Sequence, residues 1–385
     1  MNILMIGEYP PKIGGISTHI NQLKKELKNF DQNIFVLTYS NSLEEGVYST
    51  KLPNKFRGIF FIIFGFFKGI YIIRKNKIDL IHSHFATTSG FLGFLLSIVT
   101  RKKRVITVHG SDINVHLKKN ILGVLVKFVL FHYPFVIAVS PDLADKIKNL
   151  VNGEIISIPN GVDHTRFIPS KSKKRGIGFI GALVNEKNPQ EFIYLIHKLR
   201  QIGIFEPAYI IGDGYLRIEL EQISKGLNIN FLGEIIDTEN YLNKFLCVVS
   251  TSRTEGFGLS ILESMACGIP VVSYVSPGSD YLLGNLGLTA QDSNELVVLV
   301  KKQIIDLQIR EENSKKVLEK YKSIRSFRYE VSSLEASLRE ESPLQGLIEK
   351  VRHHVRFDSS VDSSLIISGI QSMIPTIKQA TARVE

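Results

Sequence analysis

Short runs of aliphatic and β-branched residues alternate along this chain with stretches whose apolar positions recur every three or four residues. In the first half, Asn2–Ile6, Asn33–Leu37, Leu80–His82, Val105–Val108 and Phe135–Val139 are predicted strands, and Ser17–Lys28 is a predicted amphipathic helix. The rhythm restarts after Pro159-Asn160-Gly161-Val162-Asp163. Beyond it, Gly176–Ile180, Ala208–Ile211, Asn230–Leu232, Cys247–Ser250 and Pro270–Tyr274 are predicted strands, with helices over Pro189–Gln201 and Leu216–Lys225. Continuous apolar strands separated by helices point to parallel, doubly wound sheets covered on both faces. The expectation is two Rossmann-like α/β domains, 1–163 and 164–325, facing a central cleft in which ligands meet the carboxyl ends of the strands. From residue 326 to 385 arginine overtakes lysine, serine is abundant and asparagine is absent. Leu344, Leu347, Ile348, Val351 and Val355 have helical spacing there, so this tail is expected to be helical, with no role assigned to it.

A chain of 385 residues, 44% hydrophobic and 22% charged, has the composition of a globular protein with room for two cores. Cys247 and Cys267 sit in apolar patterns without metal-ligand spacing, which suits a reducing cytoplasm. Met1–Gly7 lacks a basic leader and reads as a strand, so a secretory signal is not expected. The net charge of +10 is concentrated beside apolar stretches. Arg57 and Lys68 bracket Ile59–Phe67, Arg101-Lys102-Lys103-Arg104 follows Phe91–Val99, and Lys118, Lys119 and Lys127 punctuate Leu117–Phe131. None of these reaches the roughly 18–20 apolar residues of a membrane span. They are either ordinary core helices of a lysine-rich protein or faces that lie on an anionic membrane, which would place the chain peripherally on the inner side of the cytoplasmic membrane. No nucleic-acid motif accompanies the charge, so no nucleic-acid partner is expected.

The chemistry concentrates in Arg253-Thr254-Glu255-Gly256-Phe257-Gly258-Leu259-Ser260-Ile261-Leu262-Glu263-Ser264-Met265-Ala266-Cys267-Gly268-Ile269-Pro270-Val271-Val272. An acid stands on a glycine-rich loop, a short apolar helix carries a second acid, and Gly268 stands where a helix ends. The glycines allow close backbone approach to a ligand, and the helix start offers free amides to anionic or hydroxyl-rich groups. Equally, Glu263 alone can serve a helix terminus, and Gly256 and Gly258 a turn. Gly14-Gly15 opens a helix after the first strand and can offer amides to a diphosphate, although such loops are common. His19, in that helix, either packs inside or faces solvent. His109 and Asp112 in Val108-His109-Gly110-Ser111-Asp112 stand just past a buried strand, where catalytic groups of α/β folds collect. Asp112 either faces an acceptor or caps the following helix.

The segment Thr254–Val272 resembles the Glu-x7-Glu signature of retaining, nucleotide-sugar-dependent glycosyltransferases of family 4, which have the GT-B fold. The resemblance extends over roughly residues 1–320. It implies that the Gly14-Gly15 loop touches the donor phosphates and that His109 lies near the transferred sugar. It implies further that Glu255, Gly256, Phe257, Gly258 and Leu259 hold the donor sugar while Glu263 holds the ribose. Lys187, in Gly181-Ala182-Leu183-Val184-Asn185-Glu186-Lys187, keeps the family's place for a phosphate-binding lysine. The arginine expected one residue after the glycine is Ala182 here, which puts catalytic rate or donor type in doubt; Arg253 and Lys174 are the candidate substitutes. Gly212-Asp213-Gly214-Tyr215-Leu216-Arg217 resembles a family turn near the base.

On this resemblance the donor is a UDP- or GDP-sugar. Transfer proceeds on one face of the sugar, with no resident cofactor and no metal site expected. The acceptor would bind the N-terminal domain and be a glycan or a lipid-linked glycan, as in surface polysaccharide biosynthesis. Two other classes compete. A catalytically silent GT-B subunit would explain Ala182, and an NAD-type oxidoreductase or epimerase would need Gly-x-Gly-x-x-Gly after the first strand, which Gly7-Glu8-Tyr9-Pro10 does not supply.

Overall fold

Strands form where the apolar runs are shortest and most branched, and the first sheet is built from seven of them. These are β1 (Asn2–Ile6), β2 (Asn33–Thr38), β3 (Val47–Ser49), β4 (Leu80–His84), β5 (Lys103–Val108), β6 (Phe135–Ala138) and β7 (Glu154–Ser157). They lie in the order β3-β2-β1-β4-β5-β6-β7, every neighbouring pair parallel. The second sheet holds β8 (Ile177–Ile180), β9 (Ala208–Ile211), β10 (Ile229–Gly233), β11 (Cys247–Ser250), β12 (Val271–Tyr274) and β13 (Thr289–Ala290). Its order is β10-β9-β8-β11-β12-β13, again parallel throughout. The computed structural model describes residues 1–12, 14–29, 31–51, 57–118 and 120–324; the tail 326–385 and its expected helix lie outside them.

Central strands are buried on both faces because helices cover both sides of each sheet. Ile3, Leu4, Met5 and Ile6 of β1 are all fully buried, as are Val271 and Val272 of β12. The strand order reverses at the β1–β4 junction in the first sheet and at β8–β11 in the second, so both crevices for ligands open there. Gly7 and His84 sit at the carboxyl ends of the first pair, and Gly181 and Thr251 just past those of the second. Both sheets belong to one compact unit.

The predicted helix Pro189–Gln201 and the strands Asn2–Ile6, Ala208–Ile211 and Cys247–Ser250 recur with the same bounds. β3, β7 and β13 were not predicted. They are two to four residues long and occupy sheet edges, where a strand needs too few apolar positions to leave a periodic signal. β4 runs two residues beyond the prediction, through Ser83 and His84, because its central place in the sheet buries polar as well as apolar residues.

Three helices of the first domain stand in a row: Arg57–Lys75, Thr88–Thr100 and Asn120–His132. Gly65 and Gly69 let the first approach the second closely, since a Cβ at either would meet Leu92 or Leu96 within 3 Å. The outer faces stay apolar. Ile59, Ile63, Phe64, Phe67 and Tyr71 are exposed on the first helix, with Phe67 69% accessible. Ile98 and Val99 are exposed on the second, and Ile121, Val124 and Phe131 on the third. Among the described residues no helix is long and apolar enough to cross a membrane.

Candidate active site

The two domains meet through bare backbone. Gly110, at φ 103°, follows His109 past the end of β5, and its ideal Cβ position lies 2.6 Å from Gly256 Cα. The reciprocal Cβ on Gly256 would lie 2.6 Å from Gly110 Cα and 2.9 Å from the His109 carbonyl oxygen. Only a residue without Cβ fits on either side, and φ at Gly110 independently favours glycine. Ser140 adds a bridge, its hydroxyl donating to the Gly256 carbonyl at 3.3 Å. This contact joins the His109 loop to the Glu255 loop.

Around it the expected residues gather. The Lys187 ammonium pairs directly with the Glu255 carboxylate. Thr251 donates to the Lys187 and Asn188 carbonyls, at 2.8 Å each, and Ser252 donates to the Glu186 carbonyl at 3.0 Å, so the lysine turn is tied to the end of β11. The Gly278 amide holds the Glu255 carbonyl at 2.9 Å. Across the cleft, a Cβ on Gly15 would touch Leu259 Cδ1 at 3.7 Å, whereas one on Gly14 would meet nothing within 4 Å. The glycine pair thus faces the start of the helix Leu259–Ala266 with open space beside it. Free amides at that helix start and at the Gly14-Gly15 turn can both receive phosphate or hydroxyl oxygens.

Phe257 can serve a ligand only through its main chain, and the expectation for Asp112 needs correction. Phe257 is 2% exposed, lies 6.1 Å from Tyr281 ring to ring, and carries the closely packed Gly278 against its backbone. Its ring belongs to the core, leaving only its main chain to a ligand. Asp112 neither faces an acceptor nor caps a helix: it is fully buried in the first turn of the short helix Ser111–Asn114, whose N-cap is Gly110. Its carboxylate accepts the amides of Ala86 (3.1 Å), His109 (3.2 Å) and Gly110 (2.9 Å). Burial pushes Asp112 up to about 6, and the same amides oppose that rise. Asp112 staples the loop that aims His109.

The cations nominated to replace the missing arginine are engaged elsewhere. Ala182 is exposed, Lys174 donates to the Asn243 carbonyl at 2.8 Å, and Arg253 stacks 4.0 Å over the Tyr274 ring and donates to the Gln291 carbonyl. The Gly212–Gly214 turn backs the loop that carries Ala182: the Leu183 amide donates to the Asp213 carbonyl at 2.9 Å, and Arg217 pairs with Asp213.

Glu263 is 9% exposed, and burial pushes its carboxyl up to about 8, with Arg166 opposing and Glu239 reinforcing the rise. A second histidine group was not anticipated. His82 and His84, on one side of β4, join His19 and His109 in a buried cluster with ring centroids 4.1 to 5.5 Å apart. His84 Nδ1 lies 3.3 Å from His109 Nε2, and His82 Nε2 lies 2.8 Å from Thr107 Oγ1. Burial first, and the neighbouring imidazoles second, hold His84 and His109 well below the ordinary histidine value, so both are neutral. The signal was the i, i+2 spacing of His82 and His84, which puts both on one strand face.

Two parallel α/β domains whose strand ends and glycine loops face a shared cleft define the GT-B architecture. The chain belongs to the group 1, family 4 glycosyltransferases. Residues 13–166 match the family model described as Glycosyltransferase Family 4, and residues 174–305 match Glycosyl transferases group 1. An uncharacterized glycosyltransferase of Methanocaldococcus jannaschii is 33% identical over 332 residues, covering 83% of this chain and 91% of that protein. An alpha-monoglucosyldiacylglycerol synthase of Streptococcus pneumoniae is 23% identical, with 73% of each chain covered. Among solved structures, a sucrose-phosphate synthase of Thermosynechococcus elongatus superposes with TM-score 0.75 at 18% identity, covering 88% of this chain and 98% of that one. The Anabaena protein HepE in complex with UDP and glucose gives TM-score 0.72 at 19% identity, over 87% and 98% of the two chains. These structural likenesses establish the fold.

Two predictions follow from this geometry. Gly256→Ala must separate the two loops, because its Cβ meets backbone rather than a flexible side chain. A displacement approaching 1 Å is expected to lower kcat/KM roughly 100-fold in a steady-state assay. A lowered melting temperature is expected with it, since the buried Cβ overpacks a backbone contact, and unaltered turnover would refute the role of the contact. For Glu263, a folded value of about 8 lies above its ordinary 4.5. Such a carboxyl stabilises the fold fully below about pH 4.5, and its contribution is lost as pH rises toward about 8. Glu263→Gln should therefore gain melting temperature relative to the parent on going from pH 5 to pH 9. A constant difference across that range would show the carboxyl to be ionised in the fold.

Proposed function

We propose that the protein moves a sugar from a UDP- or GDP-sugar to an acceptor with retention of anomeric configuration, without a resident cofactor or catalytic metal. The observation that carries this reading is the Lys187–Glu255 ion pair, set beside the Gly110–Gly256 contact and opposite Gly14-Gly15. A donor diphosphate entering the cleft exchanges one partner of that pair: Lys187 turns to the phosphates, and Glu255 is released to the sugar hydroxyls. The amides of Gly256–Leu259 and of Gly15 add hydrogen bonds to charge developing on the leaving group. His109, neutral and stapled through Asp112, positions the sugar. Glu263, protonated when no donor is bound, can donate as well as accept toward a ribose hydroxyl. The bond from the anomeric carbon to the phosphate oxygen breaks as the acceptor oxygen bonds on the same face. The acceptor proton passes to the departing phosphate, so no protein nucleophile is required.

The acceptor we propose is a lipid-linked glycan, assembled into surface polysaccharide at the inner face of the cytoplasmic membrane. The support is the row of exposed Ile, Phe and Val side chains on three adjacent helices of the first domain, with Arg74, Lys75, Arg101, Lys103 and Lys127 exposed on them and at their ends. Apolar side chains beside lysines and arginines suit burial at an anionic headgroup boundary. A relative whose name gives it a diacylglycerol glycolipid product, the Streptococcus pneumoniae synthase, agrees with this placement.

Donor screening by thermal shift is expected to find a nucleotide sugar that raises the melting temperature, since only the fold binds it. With that donor, Glu255→Gln and Lys187→Ala should each lower kcat by roughly 100-fold. Binding without turnover, in parent and variants alike, would instead identify a silent subunit that kept the fold. On anionic liposomes, Phe64→Ser with Phe67→Ser is expected to weaken sedimentation roughly tenfold or more. Equal sedimentation of the variant, or none by the parent, would remove the membrane assignment.

A further inference from the structure

The histidine cluster has a use that sugar transfer does not require. Three of its rings come from three separately anchored elements: His19 from the helix Gly15–Asn29, His84 from the end of β4, and His109 from the loop after β5. One nitrogen of each lies within 4.8 Å of the other two. His84 Nδ1 and His109 Nε2 are 3.3 Å apart. Two nitrogens each about 2.0–2.1 Å from a tetrahedral zinc ion are separated by about 3.3–3.4 Å, so this pair already spans one edge of such a site. We propose that His19, His84 and His109 bind a divalent transition metal, zinc being the best match to three imidazoles.

The surroundings fit this chemistry. His84 Nε2 is buried with no hydrogen-bond partner, so the ring proton can reside there while Nδ1 faces the metal. His82 stacks on His84 at 4.1 Å and is tethered to Thr107, which limits rotation of the ligand ring. The Asp112 carboxylate is taken by three backbone amides and is not a competing ligand. His19 and His84 are buried whereas His109 is part-exposed, so solvent reaches the group from the His109 side. If His109 faces the donor sugar, as proposed above, the metal-loaded protein withdraws that imidazole and transfer is inhibited by zinc.

Protein stripped with a chelator is titrated with zinc by calorimetry and with cobalt(II) by visible absorption. The expected result is a single zinc per chain at micromolar affinity and the intense visible spectrum of four-coordinate cobalt. His19→Asn and His84→Asn should each weaken zinc binding roughly tenfold or more. Replacing the exposed His164 and His197 by Asn should leave it unchanged. Millimolar binding only, or an affinity indifferent to H19N and H84N, overturns the proposal. Should those variants fail to fold, the cobalt spectrum of the parent decides, and the pale spectrum of six-coordinate cobalt refutes the site. Zinc that binds as expected while donor affinity stays constant supports the metal site and overturns the donor-facing role of His109.

Discussion

The site depends on the approach of two backbones, at Gly110 and Gly256, closer than any side chain permits. The groups proposed for catalysis are arranged from that contact. On one side it continues into His109, and on the other into Glu255 and the amides of the following helix. Because neither glycine carries a Cβ, the two Rossmann-like sheets can present groups from different domains to one small volume. A GT-B enzyme needs this, since neither sheet alone holds both the donor's phosphates and the face from which the acceptor arrives.

Positioning is secured by buried polar groups whose desolvation is offset locally. Asp112 gives up solvent and receives three amides, which fixes the turn around His109. Glu263 receives less compensation, so burial pushes its carboxyl up to about 8. Lys187 and Glu255 neutralise each other and stay partly exposed, so a donor can exchange them at small desolvation cost. Within the imidazole cluster, burial first and the neighbouring rings second hold His84 and His109 well below the ordinary histidine value.

A contrasting design governs the outer face of the first domain. There the glycines at 65 and 69 bring two helices together, while large apolar side chains remain outside rather than in the core. Exposed apolar residues in such a contiguous row cost solubility unless a surface covers them. The His109 side of the cleft is polar and stapled, the outer row apolar and flanked by cations, and both lie on the first domain.

The alternation of apolar runs and helical periods determined the two doubly wound sheets, since parallel strands buried on both faces must be continuously apolar. The words around Glu255 and Glu263 determined the family and nominated Gly14, Gly15, His109 and Lys187, because glycine spacing and carboxylates survive translation into a one-dimensional pattern. Edge strands such as β3 and β13 were illegible: their hydrogen bonds come from a neighbour, not from their own composition. Tertiary structure alone decided that Asp112 is a staple, that the Phe257 ring is core, and that Lys174 and Arg253 are occupied elsewhere. It also gathered His19, His82, His84 and His109, which are up to ninety residues apart in the chain. No local pattern encodes such a meeting, because burial and contact across elements are fixed by the path of the whole chain and not by any one segment of it.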